Sequence, residues 1–322
     1  MRGYGGSIVG TRLMPINMLW SSDFFTDPDD VLAAVLLAYA YVRAYRNPIA
    51  VGISVSNPNS APALDGLLKT YGLVNVPIGV PGTSTIVPGA GPYQATMKAR
   101  TAAIVDPMRV YDINLTMFRR ALANTQRATE LVSVGLLTSY SELLDSPADS
   151  ISPLTGRQLI EQRTQKLFIM GGQYPNGSEY NFNVTAAARL AAANVSANWP
   201  VEIVNSGFEV GNTVITGGNL QGQQATNLIA QALLDSGVPA GRNSWDPMCA
   251  LLSLVAFVTQ GGYTQVRGAN SVDIGTGANI FTPNIAGKDS YVVKALADVV
   301  YQTRINNLLL PANWPITTPV LP

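Results

Sequence analysis

Residues 22–33 read SDFFTDPDDVLA and contain four carboxylates, those of Asp23, Asp27, Asp29 and Asp30, within eight positions. Like charges this close repel each other, so such a cluster either shifts the pKa of its members or binds a cation. A hard metal ion that prefers oxygen ligands, such as Ca²⁺, explains the cluster best. The alternative is a solvated acidic loop in which Asp29 caps the helix that follows.

The acidic stretch lies between two apolar segments. Residues 15–20 predict a β-strand, and the run from Asp29 onward predicts a helix with acidic residues in its first turn. The carboxylates therefore follow the C-terminal end of a strand, which is where open α/β sheets bind their ligands.

Strand-like and helix-like segments alternate along the rest of the chain. This alternation predicts βαβ units around an open, mostly parallel, Rossmann-like sheet that is flanked by helices. Residues 81–93 predict a Gly/Pro-rich loop, residues 263–281 a hairpin, and residues 291–309 a closing helix. Because no repeat or linker divides the sequence, we expect a single domain over 1–322, with an N-terminal extension over 1–14.

The composition excludes several partners. The 322 residues include 20 basic and 20 acidic ones, so no electrostatic attraction to nucleic acid or to an anionic membrane is expected. No segment predicts a membrane span, and residues 1–14 lack the apolar core of a signal peptide. Only 12% of the residues are charged, which hints at an extracellular setting, a virion or burial in an oligomer. The compartment stays open, with the cytoplasm and a virion as candidates.

The counts of histidine and cysteine exclude whole classes of chemistry. Histidine is absent, which excludes Ser-His-Asp and Cys-His catalysis and His-ligated zinc. The single cysteine, Cys249, excludes an intrachain disulfide and lies in an apolar run typical of a core thiol.

Six segments in a fixed order carry a family resemblance. They are Asp23-x-x-x-Asp27-x-Asp29-Asp30, GISVSN at 52–57, NVPIGVPG at 75–82, SVGLLT at 133–138, IMGG at 169–172 followed by EYN at 179–181, and WDPMCA at 245–250. Together they resemble the motifs of the nucleoside hydrolases, the inosine-uridine-preferring family and its relatives. The resemblance implies the nucleoside hydrolase fold and Ca²⁺-dependent hydrolysis of ribonucleosides to ribose and free base.

The resemblance also implies roles for individual residues. Asp23 would ligate Ca²⁺ and act as general base on the attacking water. The other metal ligands would be Asp30, Asp246 and the backbone carbonyl of Val134. The ribose hydroxyls would be bound by Asp29, Asn57, Glu179 and Asn181. This set is coherent, because Ca²⁺ takes oxygen ligands and a carboxylate-rich pocket stabilises the positive charge that forms on the ribosyl ring.

Several of these assignments have alternatives. Asp27 is a second candidate for the role of Asp23, because the spacing to the Asp-Asp pair is longer than in the shortest family form. Asn57 also suits a turn, Asp246 before Pro247 suits a helix start, and Glu179 and Asn181 suit a polar hairpin.

Trp245 stands where many relatives have a histidine that protonates the leaving base. Without a histidine, activation of the leaving base has to come from a tyrosine, from water, or from stacking of the base on Trp245, Tyr174 or Tyr180. Stacking on a large indole favours a purine. The alternative is that Trp245 packs in the core beneath the site.

The alternative to an enzyme is a non-catalytic structural or binding component of a virion or surface assembly, built on the same fold. Another alternative is hydrolysis of a different ribosyl compound. The resemblance also implies a homo-oligomer, either a dimer or a tetramer, which the low surface charge suits, as it does a larger assembly.

Overall fold

The structure, a computed structural model, describes residues 15–82, 91–126, 128–254 and 262–311. The strands in these ranges are β1 (Ile16–Ser22), β2 (Arg46–Ile53), β3 (Ile78–Val80), β4 (Asp112–Ile113), β5 (Thr129–Ser133), β6 (Thr164–Met170), β7 (Asn176–Gly177), β8 (Glu202–Ser206), β9 (Ile215–Thr216), β10 (Arg242–Asn243), β11 (Tyr263–Val272), β12 (Asn279–Pro283) and β13 (Asp289–Lys294).

The α-helices are α1 (Asp29–Val42), α2 (Ser60–Thr70), α3 (Gln94–Thr101), α4 (Asn114–Asn124), α5 (Thr138–Asp145), α6 (Gly156–Arg163), α7 (Tyr180–Asn183), α8 (Ala186–Asn198), α9 (Phe208–Gly211), α10 (Leu228–Asp235), α11 (Trp245–Leu254) and α12 (Asp298–Leu308), and a short 3-10 helix covers Gly218–Leu220. None of these helices has the length and apolarity to cross a membrane.

Eleven strands form one sheet in the order β4-β3-β2-β1-β5-β6-β8-β13-β11-β12-β7. The eight strands from β4 to β13 pair in parallel, and β11, β12 and β7 extend the sheet antiparallel. Strand β1 lies between β2 and β5, so the chain winds to opposite sides of it. A crevice therefore opens at the C-terminal ends of these central strands, as expected at a topological switch point.

Strand β1 is covered by helices on both faces. Met18 and Trp20 pack into one core with α1, α2, α10, α11 and α12, whereas Leu19 packs into a second core with α4, α5, α6 and α8. A strand buried on both faces is apolar along its length, which is why residues 16–20 predict a strand so clearly.

The predicted open, mostly parallel α/β sheet is confirmed, and the hairpin predicted over 263–281 forms between β11 and β12. The closing helix predicted over 291–309 is wrong in its first part, since residues 289–294 form β13 beside β8. There the β-branched Val292 is buried and Val293 is 43% exposed, the alternation of a strand. The predicted extension 1–14 and most of the predicted loop 81–93 lie outside the described residues.

Candidate functional site

The acidic stretch connects the end of β1 to the start of α1. Phe24 adopts a left-handed backbone conformation with φ of 44°, which is unfavourable for a residue with a side chain. Its ring is fully buried and lies edge-on to Tyr93, with the centroids 5.5 Å apart. Its carbonyl accepts hydrogen bonds from Ser60 Oγ and Gln94 Nε2, each at 2.9 Å. Packing and hydrogen bonds therefore hold the strained turn beside Asp23.

Three carboxylates converge at this end of the sheet. Asp29 and Asp30 begin α1, and Asp246 lies in the first turn of α11. All three side chains are buried, and carboxylate oxygens from the three lie within 4.8 Å of one another. The backbone N–H of Asp246 donates to Asp29 Oδ2 at 3.0 Å, which joins the starts of the two helices.

Asp30 has two further neighbours. Ser22 Oγ donates a hydrogen bond to Asp30 Oδ1, and the side chains of Asp23 and Asp30 share another. Asp23 therefore adjoins the three-carboxylate cluster through Asp30. Burial raises the pKa of Asp23 to about 6, with Asp27 adding to the rise and the hydrogen bond to Asp30 opposing it.

Gly135 allows the turn after β5 to approach the acidic stretch. A Cβ at this position would lie 2.3 Å from the backbone nitrogen of Asp23, closer than any side chain can come. The same turn brings Val134 to the wall of the crevice. The glycine of the motif SVGLLT is therefore required for this close approach, because a residue with a side chain would clash there.

In the described lining of the crevice, the carboxylate cluster has little compensating positive charge. Burial is the largest effect that raises the pKa of Asp29, Asp30 and Asp246 well above the ordinary range, and the neighbouring carboxylates add to it. The single cationic side chain among the described residues that line the crevice is Arg242, and it is paired with Asp27. Several buried carboxylates without a cation match the donor set of a divalent metal ion with oxygen ligands.

The crevice is a cavity of about 380 Å³. Its lining consists of Asp23, Thr26, Asp27, Asp29, Asp30, Val134, Met170, Ser178, Glu179, Tyr180, Asn181, Phe208, Arg242, Trp245 and Asp246. All of the site residues proposed from the sequence except Asn57 are in this set.

Asn57 is not among the described residues that line the cavity. Its Oδ1 accepts a hydrogen bond from the backbone N–H of Asn59 at 2.8 Å, just before α2 begins. The side chain therefore has the turn role that asparagine often takes.

Glu179 and Asn181 lie in the cavity wall at the start of α7. The Glu179 carboxylate accepts from the backbone N–H groups of Gly172 at 3.0 Å and Asn181 at 2.9 Å. Burial raises the pKa of Glu179 to about 7, although these two amide hydrogen bonds oppose the rise. Asn181 Nδ2 donates to the carbonyl of Met170 at 3.1 Å.

Trp245 is half-buried; it lines the cavity and also packs against the core that contains Met18 and Trp20. Its ring stacks on Phe208 with centroids 5.5 Å apart, and its Nε1 donates to the Phe208 carbonyl at 3.0 Å. The guanidinium carbon of Arg242 lies 5.0 Å from the Trp245 ring centroid. A base that stacks on Trp245 would therefore share the indole with these two partners.

The two tyrosines considered for base stacking lie in different places. Tyr180 lines the cavity and is 42% exposed. Tyr174 is buried in an aromatic cluster, stacked on Tyr291 with centroids 5.0 Å apart and edge-on to Phe281. Tyr174 is not among the described residues that line the cavity.

Asp27, the alternative to Asp23, forms an ion pair with Arg242. The guanidinium donates from Nε to both Asp27 oxygens at 3.0 Å and from Nη2 to Oδ2 at 2.5 Å. Arg242 therefore pairs with Asp27, whereas Asp23 adjoins the carboxylate cluster through Asp30. Arg242 and Phe208 were not predicted from the sequence, and no motif marks them, since Arg242 is 215 positions from its partner.

No family model matches the sequence, and no curated protein matches it. Among solved structures, the inosine-uridine preferring nucleoside hydrolase from Bacillus anthracis is similar with a TM-score of 0.68 and 14% identity, over 91% of this chain and 99% of that chain. A plant nucleoside hydrolase has a TM-score of 0.66 and 14% identity, over 94% and 100% of the two chains.

The type III effector protein XopQ, solved in complex with adenosine diphosphate ribose, is similar with a TM-score of 0.66 and 13% identity, over 94% of this chain and 95% of that chain. The chain therefore has the nucleoside hydrolase fold, as the six sequence motifs predict. Function has to be argued from the site itself.

Proposed function

We propose that the chain is a divalent-cation-dependent nucleoside hydrolase, which converts a ribonucleoside and water to ribose and free base. The observation that carries the proposal is the cluster of Asp29, Asp30 and Asp246, buried at the floor of a cavity in the nucleoside hydrolase fold. Three buried carboxylates that repel one another are costly unless a cation or a reaction uses them.

The cation of this proposal is Ca²⁺, which takes six to eight oxygen ligands. Asp30, Asp246, Asp23 and the carbonyl of Val134 would hold it, with Asp29 beside them in the same carboxylate cluster. When bound, the ion would supply positive charge that makes a nearby water more acidic and a better nucleophile at neutral pH.

Asp23 would act as the general base. Burial raises the pKa of Asp23 to about 6 in the metal-free protein, so its carboxylate is ionised at neutral pH and would accept the proton of the water. Its burial beside Asp30 keeps it close to the cluster. The water oxygen would bond to C1′ of the ribose while the proton passes to Asp23.

Asp29, Glu179 and Asn181 would bind the ribose hydroxyls. These side chains line one cavity, and the backbone amides of Gly172 and Asn181 orient the Glu179 carboxylate. As the glycosidic bond breaks, the ribosyl ring gains positive charge. A carboxylate-rich lining stabilises that charge more than it stabilises the uncharged substrate.

The wall formed by Trp245 and Phe208 would contact the base, which supports a preference for purines. Large aromatic side chains gain more contact with a bicyclic base than with a monocyclic one.

The test is release of free ribose from a panel of purine and pyrimidine nucleosides, with Ca²⁺ and with a chelator. We expect chelator-sensitive release, loss of Ca²⁺ binding and activity in Asp30→Ala, and full activity in the exposed control Asp145→Ala. Full activity in Asp30→Ala would contradict the metal assignment. Ca²⁺ binding without release from any nucleoside would favour a non-catalytic binding component.

A second candidate is action on a different ribosyl compound. The complex of XopQ with adenosine diphosphate ribose favours the inclusion of that compound in the panel. Ribose or adenosine diphosphate ribose that binds without turnover would support a binding role.

We also propose that the chain forms a homo-oligomer. Ile104, Met108, Val110 and Ile113 are between 48% and 87% exposed and lie close together in sequence, next to the edge strand β4. Burial of such apolar surface favours association. Light scattering should give a mass of at least twice the 34.1 kDa of one chain, whereas a mass of 34.1 kDa would contradict the proposal.

A further inference from the structure

The proposed reaction leaves one problem unsolved, which is how the base departs. When the C1′–N bond breaks, its electron pair goes to the base, which therefore gains negative charge. The chain has no histidine to neutralise that charge. A group that stabilises the departing base has to be found among the residues that line the cavity.

Arg242 is the one cationic side chain among the described residues of the lining. The acidic side chains of the same lining are Asp23, Asp27, Asp29, Asp30, Glu179 and Asp246. Among the side chains of this described lining, the acidic ones would repel a departing anion and the guanidinium would attract it. Arg242 is therefore the group with the sign of charge that the leaving base requires.

The contacts of Arg242 fix its position. Asp27 binds Nε and Nη2, and the guanidinium carbon lies 5.0 Å from the centroid of Trp245. Among the described residues, nothing accepts a hydrogen bond from Nη1. An arginine held on one edge by a carboxylate and on its face by an indole keeps a planar array of donors in place. Nη1 is the donor left for a ligand.

We propose, on the premise of the nucleoside hydrolase function above, that Arg242 stabilises the leaving base by donating a hydrogen bond from Nη1 to an acceptor atom of its ring. A water oxygen bonds to C1′ and its proton goes to Asp23. The C1′–N bond breaks, and its electron pair stays on the base nitrogen.

Arg242 does not transfer a proton in this step, because a guanidinium remains charged at neutral pH. The base takes its proton from solvent water after departure, and Asp23 returns its proton to solvent. Asp27 is the positioning residue, because it holds the guanidinium against the wall formed by Trp245.

The experiment compares two leaving groups. Inosine needs its leaving base stabilised, whereas 4-nitrophenyl β-riboside releases a phenolate that is stable by itself. We expect Arg242→Gln to reduce kcat/KM for inosine by about 100-fold, as is typical for loss of a donor to a developing anion, and that for the nitrophenyl riboside by less than about fivefold. Arg242→Lys should recover part of the loss on inosine, since it keeps the charge.

Arg120→Gln is the matched control. Arg120 lies in an exposed ion pair with Asp112, outside the cavity lining, and its loss should leave both substrates unaffected. An equal loss on both substrates in Arg242→Gln, or no loss on inosine, would overturn the inference. If Arg242→Gln does not fold, the double variant Asp27→Asn/Arg242→Gln leaves no unpaired charge, and the same ratio between substrates decides.

The wild-type protein separates the two hypotheses. If it releases ribose from neither substrate in the presence of Ca²⁺, the proposed function fails before any variant is compared. If it hydrolyses both, the ratio between substrates in the variants tests Arg242 alone.

Discussion

Asp30 is the residue at which the contacts of the cluster meet. Its carboxylate receives a hydrogen bond from Ser22 Oγ, shares one with Asp23, and lies beside Asp29 and Asp246. A carboxylate with this many polar neighbours is held in one orientation before any cation binds. If Asp30 ligates the proposed cation, this orientation should contribute to the affinity, since groups that orient a ligand commonly change metal affinity by about 10–100-fold.

Ser22→Ala tests the orientation of Asp30. Removal of the hydroxyl deletes the hydrogen bond to Asp30 and the one from the Phe24 N–H to Ser22 Oγ, at 3.1 Å. We expect Ca²⁺ affinity to fall about tenfold, the usual scale for loss of a group that orients a metal ligand. Isothermal titration calorimetry measures this, with the exposed Ser56→Ala as control. Equal affinity in both variants would contradict the expectation.

At the residue scale, the sequence predicts site residues that lie close together along the chain. Asp23, Asp29 and Asp30 form a pattern within eight positions, and that pattern carries chemical meaning without a structure. Arg242 belongs to no such pattern. Its place in the site depends on its ion pair with Asp27, a residue that only folding brings near. Asn57 shows the opposite case, in which a residue that matches a motif is used by its own turn.

At the scale of elements, α3 supports the acidic stretch from outside. Its first residue, Gln94, is fully buried, and its Nε2 donates to the carbonyls of both Phe24 and Phe25. Tyr93, the residue before the helix, donates from its hydroxyl to the carbonyl of Asp27 at 3.3 Å. Through these hydrogen bonds, the start of α3 therefore fixes the backbone of the acidic stretch that carries the carboxylates.

Gln94→Leu keeps the approximate shape of the side chain and removes its hydrogen bonds. The Phe25 carbonyl loses a buried donor, so we expect the free energy of unfolding to fall by about 1–3 kcal/mol. Ca²⁺ affinity should fall as well, because the acidic stretch is less constrained. Urea denaturation and calorimetry measure the two effects, with the exposed Gln265→Leu as control. Unchanged stability would show that α3 does not support the stretch.

Helix α3 and strand β13 were not predicted from the sequence, for different reasons. Helix α3 is short, and its residues are mostly polar or exposed, so it has no clear apolar stripe. Strand β13 has an apolar run that continues toward α12, and a continuous apolar run does not distinguish strand from helix. Its pairing with β8 and β11 decides the matter, and such long-range pairing is not a local property.

At the scale of the whole molecule, order along the chain is what made the fold predictable. Six short motifs in a fixed order indicate a topology, even though the bacterial and plant nucleoside hydrolases compared above share only 14% identity with the chain. Those motifs lie at the ends of strands β1, β2, β3, β5 and β6, or begin α11, so they meet at the same edge of the sheet. The agreement among the motifs therefore reflects a common backbone geometry at this edge of the sheet.

Stability should depend on pH in a direction set by the carboxylates. The pKa of Asp23 rises from 3.8 to about 6 on folding, and that of Glu179 rises from 4.5 to about 7. Between the ordinary and the raised values the folded state binds more protons than the unfolded state. The free energy of unfolding of the metal-free protein therefore falls as pH increases through this window.

We expect the Tm in chelator to be about 3–6 °C lower at pH 8 than at pH 5. Added Ca²⁺ should raise the Tm more at pH 8 than at pH 5, because the ion binds the deprotonated carboxylates. Differential scanning calorimetry at both pH values measures this, and Asp30→Ala should lose the response to Ca²⁺. A Tm that increases with pH in chelator would contradict the assignment.

The contact between the N–H of Asp246 and the carboxylate of Asp29 joins residues 217 positions apart. During synthesis on a ribosome, Asp29 and Asp30 are made early. Asp246 follows only when about three quarters of the 322 residues have been made. A cation held by all three carboxylates would bind only after that point. Chains that stop before Asp246 would therefore remain without the ion, and cation retention would distinguish them from chains that include Asp246.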